Sequence, residues 1–176
     1  MQIWRSIYLS IACMAGAGIL SNFFGELLPR SWFFPDRFPF RPFRWEKSGK
    51  IYERLGVRFW KDRAPDMSRV RKKKMVSKHL GLCPTADRVR TLRYETCRAE
   101  VVHVLLCLLS PSLIFLWQNR RIGICIMAIY IFFNIPFIII QRYNRPALTE
   151  LESRLRRREE RKAAKKQECE TQAAAK

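Results

Sequence analysis

The sequence predicts an all-α integral membrane protein with three transmembrane helices, a basic and partly helical cytosolic loop, and a C-terminal basic helix. Three stretches carry no formal charge, at Ser6–Gly25, Val101–Asn119 and Ile122–Ile140. Each holds about 20 residues, and a helix rising about 1.5 Å per residue needs that many to cross a hydrocarbon layer about 30 Å thick. The rest of the chain is too basic to build a large second core, since the net charge is +19. We therefore expect one membrane domain, residues 1–148, followed by a basic helical tail, residues 149–176.

Arginine and lysine are distributed unevenly around the three spans. One lies before the first span, twenty lie from Arg30 to Arg98, two separate the second and third spans, and eleven follow Ile140. Cytoplasmic flanks of membrane helices gather positive charge, so the loop of residues 26–98 and the tail are expected inside. This predicts a multi-pass protein of the cell membrane with its N-terminus outside and its C-terminus in the cytoplasm.

The first span has a second interpretation, a cleaved secretory signal. Small residues from Met14 to Gly18 lie near the end of its apolar core, as they do before a cleavage site. However, Arg5 is the only basic residue ahead of that core, and cleavage would leave the arginine-rich loop outside. We therefore favour a retained span.

The loop after this span opens with aromatic and basic residues in alternation. Four prolines between Pro29 and Pro42 disfavour regular structure there. Rings and guanidinium groups together suit the lipid headgroup layer, so we interpret the segment as an interfacial anchor, with a substrate groove as the alternative. The aromatics are Phe38, Phe40, Phe43 and Trp45, and the arginines are Arg37, Arg41 and Arg44.

The next part of the loop predicts a short amphipathic helix lying on the membrane. Ile51, Leu55 and Phe59 or Trp60 share one face, with Gly56 as a point of interruption.

Two charged features follow in the same loop. Asp62 is a carboxylate among basic residues. We interpret it as the partner of a neighbouring base in an ion pair, with a catalytic role as the alternative. The segment Arg69–Lys74 holds five basic residues in six, and beside a membrane its expected partner is anionic inner-leaflet lipid. The phosphates of an acyl-CoA or an acidic acyl carrier protein would use the same charges. Nucleic acid is not expected, because no recognised nucleic-acid motif accompanies the run.

The most suggestive chemistry lies where the second span begins. Thr96, Glu100 and His103 fall within about 60° of one helix face, so Glu100 can touch His103. A carboxylate one turn from an imidazole can fix its tautomer and strengthen it as a general base. A structural hydrogen bond between helices explains the same pair equally well.

Polar and helix-breaking residues also occur in the last two spans. Pro111 and Pro136 each deprive a carbonyl of its helical partner, so kinks or side-chain contacts are expected there. Asn134 can bond across the bundle. The segment Gln141–Pro146 brings two arginines and two amides to the inner headgroup level, where arginine can hold phosphate or carboxylate with two hydrogen bonds. In the tail, carboxylates and arginines four residues apart predict the pairs Glu150–Arg154 and Glu152–Arg156.

The six cysteines predict neither a metal centre nor a disulfide framework. They form no CxxC pair and no cluster with zinc spacing. Cys13, Cys107 and Cys125 lie inside proposed spans, where a thiol behaves as a small apolar group.

Between about Phe43 and Leu148 the chain carries an ordered set of motifs, at Glu46–Lys50, Val57–Lys61, Lys78–Leu80, Glu95–Glu100 with His103, Asn134–Pro136 and Gln141–Pro146. Together they resemble those of the glycosyl-4,4'-diaponeurosporenoate acyltransferases, small membrane enzymes of carotenoid pigment synthesis. The resemblance implies transfer of a fatty acyl chain to a hydroxyl of a membrane glycolipid, with a pigment glycoside as the family's acceptor. The His-x4-Asp pattern of common glycerolipid acyltransferases is absent.

This resemblance implies a catalytic pair, with His103 taking the proton of the acceptor hydroxyl and Glu100 orienting His103. The donor is expected to be acyl-CoA or acyl carrier protein, with no bound cofactor and no metal. The substrate-binding candidates are Lys61, Arg98, Asn134, Gln141, Arg142, Asn144 and Arg145, and the secondary candidates are His79, Glu95 and Asp62. The alternative is a non-enzymatic membrane protein whose basic collar recruits anionic lipid or a protein partner.

Overall fold

The structure is a computed structural model that describes residues 2–61 and 84–174. Within these ranges the chain forms helices and no strand. Three of the helices are long and apolar enough to cross a membrane, which confirms the predicted all-α membrane fold. The α-helices are α1 (Gln2–Leu27), α2 (Lys50–Arg54), α3 (Val57–Trp60), α4 (Ala86–Leu109) and α5 (Arg120–Ala174), and the 3₁₀ helices are Arg30–Trp32, Arg44–Gly49 and Ser110–Leu116.

Helices α1 and α5 both run antiparallel to α4. Near one end of the bundle, the Trp117 indole Nε1 donates to the Ser10 hydroxyl at 2.9 Å. Near the other end, Gly25 packs so closely on α4 that a Cβ there would come within 3.2 Å of Val102. The N-terminal end of α1 therefore lies beside the turn between α4 and α5, while the loop after α1 and the end of α5 lie at the opposite end.

Pro111 converts the end of the second span from α-helix to 3₁₀ helix. Because proline has no backbone N–H, the Cys107 carbonyl loses its helical partner. The Ser110 backbone N–H and its hydroxyl both donate to that carbonyl, the hydroxyl at 2.6 Å, so the Cys107 carbonyl keeps hydrogen-bond partners.

Helix α5 continues without a break through Pro136 and Pro146 into the tail. The expected pair between Glu150 and Arg154 forms, but the expected pair between Glu152 and Arg156 is replaced by a contact of Glu152 with α4. Glu152 accepts from Arg93 at 2.6 Å, and Glu159 accepts from the Ala86 N–H at 3.0 Å. The first part of the tail is thus packed against α4, and sequence spacing within α5 could not indicate partners on another helix.

The loop after α1 folds back onto α4 and α5 through two apolar clusters. Phe33, Phe40 and Cys97 form the first. Tyr52, Val57 and Ile140 form the second, with Ile51 and Trp60 packed against it.

The amphipathic helix expected in this loop is divided by Gly56. Its φ of 65° ends α2 and starts α3 in a new direction, so the expected interruption is confirmed. The residues expected on one apolar face do not share a face, however. Leu55 and Phe59 are 58% and 81% exposed, whereas Tyr52 and Val57 are buried. The change of direction at Gly56 takes Phe59 away from the face that Ile51 presents.

Candidate active site

His103 lies between α4 and α5 in a defined polar and aromatic setting. Its Nδ1 is 3.0 Å from the Asn134 Oδ1, and its ring stacks on Phe137 with the centroids 4.7 Å apart. The Asn134 Nδ2 donates to the Tyr130 carbonyl at 2.9 Å, which directs the amide oxygen toward the imidazole. Since an amide oxygen only accepts, this arrangement requires a proton on Nδ1 and places the lone pair of the neutral ring on Nε2.

Four charged side chains meet one to two turns away, where the loop joins the helices. Glu100 of α4 accepts from Arg142 on one oxygen and from Arg145 on the other, both at 2.5 Å. Arg142 also donates from Nε to Glu46 of the loop at 2.5 Å. We call Glu46, Glu100, Arg142 and Arg145 the ion network. Its two carboxylates and two guanidinium groups balance, as buried charges require.

Arg145 is the largest buried side chain of the ion network. It is 2% exposed and uses three donors toward three acceptors, one on the loop and two on α4. Nη1 donates to the Phe40 carbonyl at 2.6 Å, Nε donates to the Thr96 hydroxyl at 3.3 Å, and Nη2 reaches Glu100. A planar guanidinium fork can serve these directions at once, which a lysine ammonium on a single flexible stem cannot.

Glu46 is held ionised by its neighbours. Burial alone would raise its pKa, but hydrogen bonds from Arg142 and Tyr52 outweigh burial and bring the pKa below its ordinary value of 4.5. The Tyr52 hydroxyl donates to Glu46 at 2.5 Å, and the Phe43 N–H donates at 2.7 Å. Burial and the adjacent Glu46 charge raise the pKa of Tyr52, so the phenol stays a donor.

Beside the ion network, a cleft of about 890 Å³ opens between the loop and α5. Lys61 and Asn144, both predicted to bind substrate, line it. Lys61 also lies over the Tyr143 ring, with Nζ 5.1 Å from the centroid. Gly49 forms part of the wall, and its φ of 92° allows the loop to approach the Tyr143 carbonyl. We call this space the loop cleft.

The structure distributes the other sequence candidates among different settings. Arg98 pairs with Glu95 at 3.1 Å, which gives each of the two a partner on its own helix. Gln141 is buried, 3% exposed. Asp62, the basic run Arg69–Lys74 and His79 lie outside the described residues. Among the described residues, no group of histidine, cysteine and carboxylate side chains could hold a metal ion.

Glu100 and His103 share a helix face, as predicted, and both side chains hydrogen-bond to residues of α5. Both Glu100 oxygens bind arginines, and Asn134 holds the His103 Nδ1. The orientation of His103 by Glu100 therefore stays a prediction, while Asn134 has the observed contact.

Sequence reasoning missed two residues of this site, Glu46 and Tyr52. A signal for Glu46 exists, because it is the only acid between Arg37 and Gly49 in a strongly basic segment. Such an isolated acid is a candidate partner for buried arginines. No comparable signal marks Tyr52, whose role follows from where the loop folds.

Comparisons with known proteins cover most of the chain, including the residues of this site. The family model described as glycosyl-4,4'-diaponeurosporenoate acyltransferase matches residues 29–154. Relatives of that name from Staphylococcus aureus strains N315 and bovine RF122 / ET3-1 are 34% and 33% identical over 159 residues. The similarity covers 90% of this chain and 88% of each relative. No solved structure matches this chain. The matched segment contains His103, Asn134 and the whole ion network.

Proposed function

Because this chain belongs to the glycosyl-4,4'-diaponeurosporenoate acyltransferase family, we propose that it moves a fatty acyl group from a thioester donor to a hydroxyl of a membrane glycolipid. The acyl-transfer class comes from the family. The thioester donor, acyl-CoA or acyl carrier protein, and a glycosyl carotenoid-like acceptor are our proposal. The observation that carries the mechanism is the Asn134–His103–Phe137 arrangement between two membrane helices.

In this mechanism His103 is the general base. Nε2 takes the proton of the acceptor hydroxyl as its oxygen attacks the thioester carbonyl, so that the new ester C–O bond forms. Collapse of the tetrahedral intermediate breaks the C–S bond, and the leaving thiolate takes the proton back from the imidazolium. Asn134 holds the Nδ1–H throughout, and Phe137 keeps the ring plane fixed.

The ion network supports His103 by holding α4 in register with α5. Arg142 and Arg145 were candidates for direct contact with phosphate or with the developing oxyanion. Their described hydrogen bonds go instead to protein carboxylates and carbonyls. This favours a positioning role for both arginines, because breaking a buried ion pair to bind substrate would be costly.

The position of His103 allows a donor from the cytosol and an acceptor from the membrane to meet. It lies two residues inside the uncharged stretch Val101–Asn119, near the end of the bundle that carries the basic loop. With that end in the cytoplasm, as the basic residues predict, a cytosolic donor and a lipid hydroxyl can both reach it.

A radiolabelled acyl-transfer assay tests the assignment. We expect His103→Gln, in purified protein reconstituted with a glycolipid fraction, to lose about 10²-fold or more in kcat, because general-base catalysis contributes on that order. His79→Gln is the matched control, since it removes the only other histidine of the chain and should retain activity. Monodisperse elution and an unchanged helical spectrum would show that both variants fold.

Two results would contradict the proposal. Full transfer by His103→Gln, or loss of transfer confined to His79→Gln, would remove His103 from the base role. If the wild-type protein transfers no acyl group to any polar lipid fraction, the recruitment of anionic lipid by the basic collar becomes the better account.

A further inference from the structure

We propose that the loop cleft is the binding site for the phosphate-bearing end of the acyl donor. This inference rests on the proposed function, since it names where the donor of that reaction binds. The cleft lies at the cytosolic end of the bundle under the orientation proposed above, and its volume of about 890 Å³ is within the range of small-molecule sites.

The charges around the loop cleft favour an anion. Arg41, Lys50 and Lys61 line it and form no ion pair with any residue in the described part of the chain. Three carboxylates also line it, but two are already bound by arginines. Arg93 holds Asp36 at 2.5 Å, and Arg154 holds Glu150. Arg93 also binds Glu152, so it offsets the Asp36 charge only in part. When both arginines and Glu152 are included, five basic groups still face four carboxylates, and the local charge is positive.

The walls of the loop cleft are built to keep their shape. Pro35, Pro42 and Pro146 line it and have fixed φ angles. Tyr143 contributes an aromatic wall, with Lys61 above its ring. Phosphate esters are bound well by lysine and arginine at such a preformed rim.

The distance from the loop cleft to His103 fits a long donor. Asn144 lines the cleft, and Asn134 binds His103 ten residues earlier on the same helix. At about 1.5 Å per residue, the two levels are about 15 Å apart. An extended pantetheine arm covers a gap of that order, so a phosphate held at Lys50 leaves the thioester free to reach the imidazole.

Equilibrium dialysis with radiolabelled CoA tests this site on the full-length protein in nanodiscs of zwitterionic lipid. Lys50→Gln and Arg41→Gln should each weaken CoA binding by about twofold to fivefold, the range expected when an exposed charge contact is lost. Arg158→Gln is the matched control, because it removes the same charge from an exposed position of α5 outside the cleft and should leave binding unchanged. Pantetheine, which lacks phosphate, should bind both cleft variants as it binds the wild type.

Three outcomes overturn the proposal. Equal weakening by Arg158→Gln would mean that only the overall charge attracts CoA. Unchanged CoA binding by both cleft variants would place the donor elsewhere. No CoA binding by the wild type, together with cross-linking of a photoactivatable phosphatidylglycerol at Lys50, would make the cleft a lipid headgroup site.

The binding measurement needs no turnover, so it separates this inference from the proposed function. CoA binding retained by His103→Gln, with transfer lost, supports both. Transfer retained by His103→Gln removes the base assignment but leaves the binding site standing.

Discussion

Among single residues, Asn134 bears most directly on the reaction. Its Nδ2 is tied to the Tyr130 carbonyl, so its Oδ1 is the atom that meets the His103 Nδ1. An isolated neutral imidazole exchanges its proton between both nitrogens, whereas here one tautomer is selected. In the proposed mechanism Asn134 is thus a positioning residue that acts through His103.

Nitrogen-15 NMR of the imidazole measures this selection directly. The chain has two histidines, so His79→Gln leaves His103 as the only source of signal. We expect the proton on Nδ1 in that background and a shift toward the Nε2–H form after Asn134→Leu. Asn119→Leu in the turn is the control and should leave the spectrum unchanged. A wild-type spectrum with the proton on Nε2 would refute the selection, whatever the activity.

The sequence could indicate His103, and it could indicate that Asn134 bonds across the bundle, but it could not show that these two residues meet. An ionisable residue at the start of an uncharged span is visible as an exception, and its face shared with Glu100 follows from helical geometry. Asn134 is 31 positions further on, and its register against His103 depends on how α4 and α5 pack. Sequence spacing therefore favoured the neighbour on the same helix.

At the level of elements, the ion network joins three separate parts of the chain. Glu46 belongs to the loop, Glu100 to α4, and both arginines to α5. Removing one partner from a buried ion pair typically costs about 3–5 kcal/mol, because the remaining charge stays buried. The loop is thereby fixed against the helices that carry His103.

The network predicts a specific response to acid. Because the folded-state pKa of Glu46 lies below its ordinary 4.5, ionised Glu46 stabilises the fold above that pH and loses this effect as the pH falls through the lowered pKa. We expect Glu46→Gln to lower the thermal unfolding temperature at neutral pH and to flatten the decline of that temperature as the pH falls below 4.5. Tryptophan fluorescence during heating measures both.

Glu150→Gln is the control for this prediction. Its side chain is exposed and pairs with Arg154 on the same helix, so its loss should cost about 1 kcal/mol or less. Parallel pH curves for the wild type and Glu46→Gln would show that Glu46 does not contribute to acid sensitivity.

Elements with a local origin were predictable, and those set by packing were not. Uncharged length indicated the three spans, and Gly56 marked the break between α2 and α3. Glu152 has an arginine four residues away, yet it binds Arg93 on α4. The packing of α4 against α5 decides between the arginine on the same helix and the one on α4, and the spacing of residues within one helix carries no information about that packing.

For the whole molecule, the antiparallel helices put chemistry and charge at one end. Ala86 lies 15 residues before the uncharged stretch of α4, so this end extends about 22 Å beyond that stretch. The loop cleft, the ion network and the braced start of the tail are all found there. The proposed reaction requires that end to face the cytoplasm.

Labelling of single-cysteine variants with a membrane-impermeant maleimide tests this orientation. Cys169 lies exposed on α5 and should react only after lysis, whereas Asn119→Cys in the turn at the opposite end should react on intact cells. The two sites serve as controls for each other. Reaction of Cys169 on intact cells would put the basic end outside and separate the site from any cytosolic thioester.

Because of the hydrogen bond between Trp117 and Ser10, the packing around α4 depends on the retention of α1. If a signal peptidase excised that helix, the indole would lose its acceptor and the α4 surface beneath Gly25 would be stripped of its cover. The segment with the strongest likeness to an export leader is therefore also a structural support for the helix that bears the imidazole.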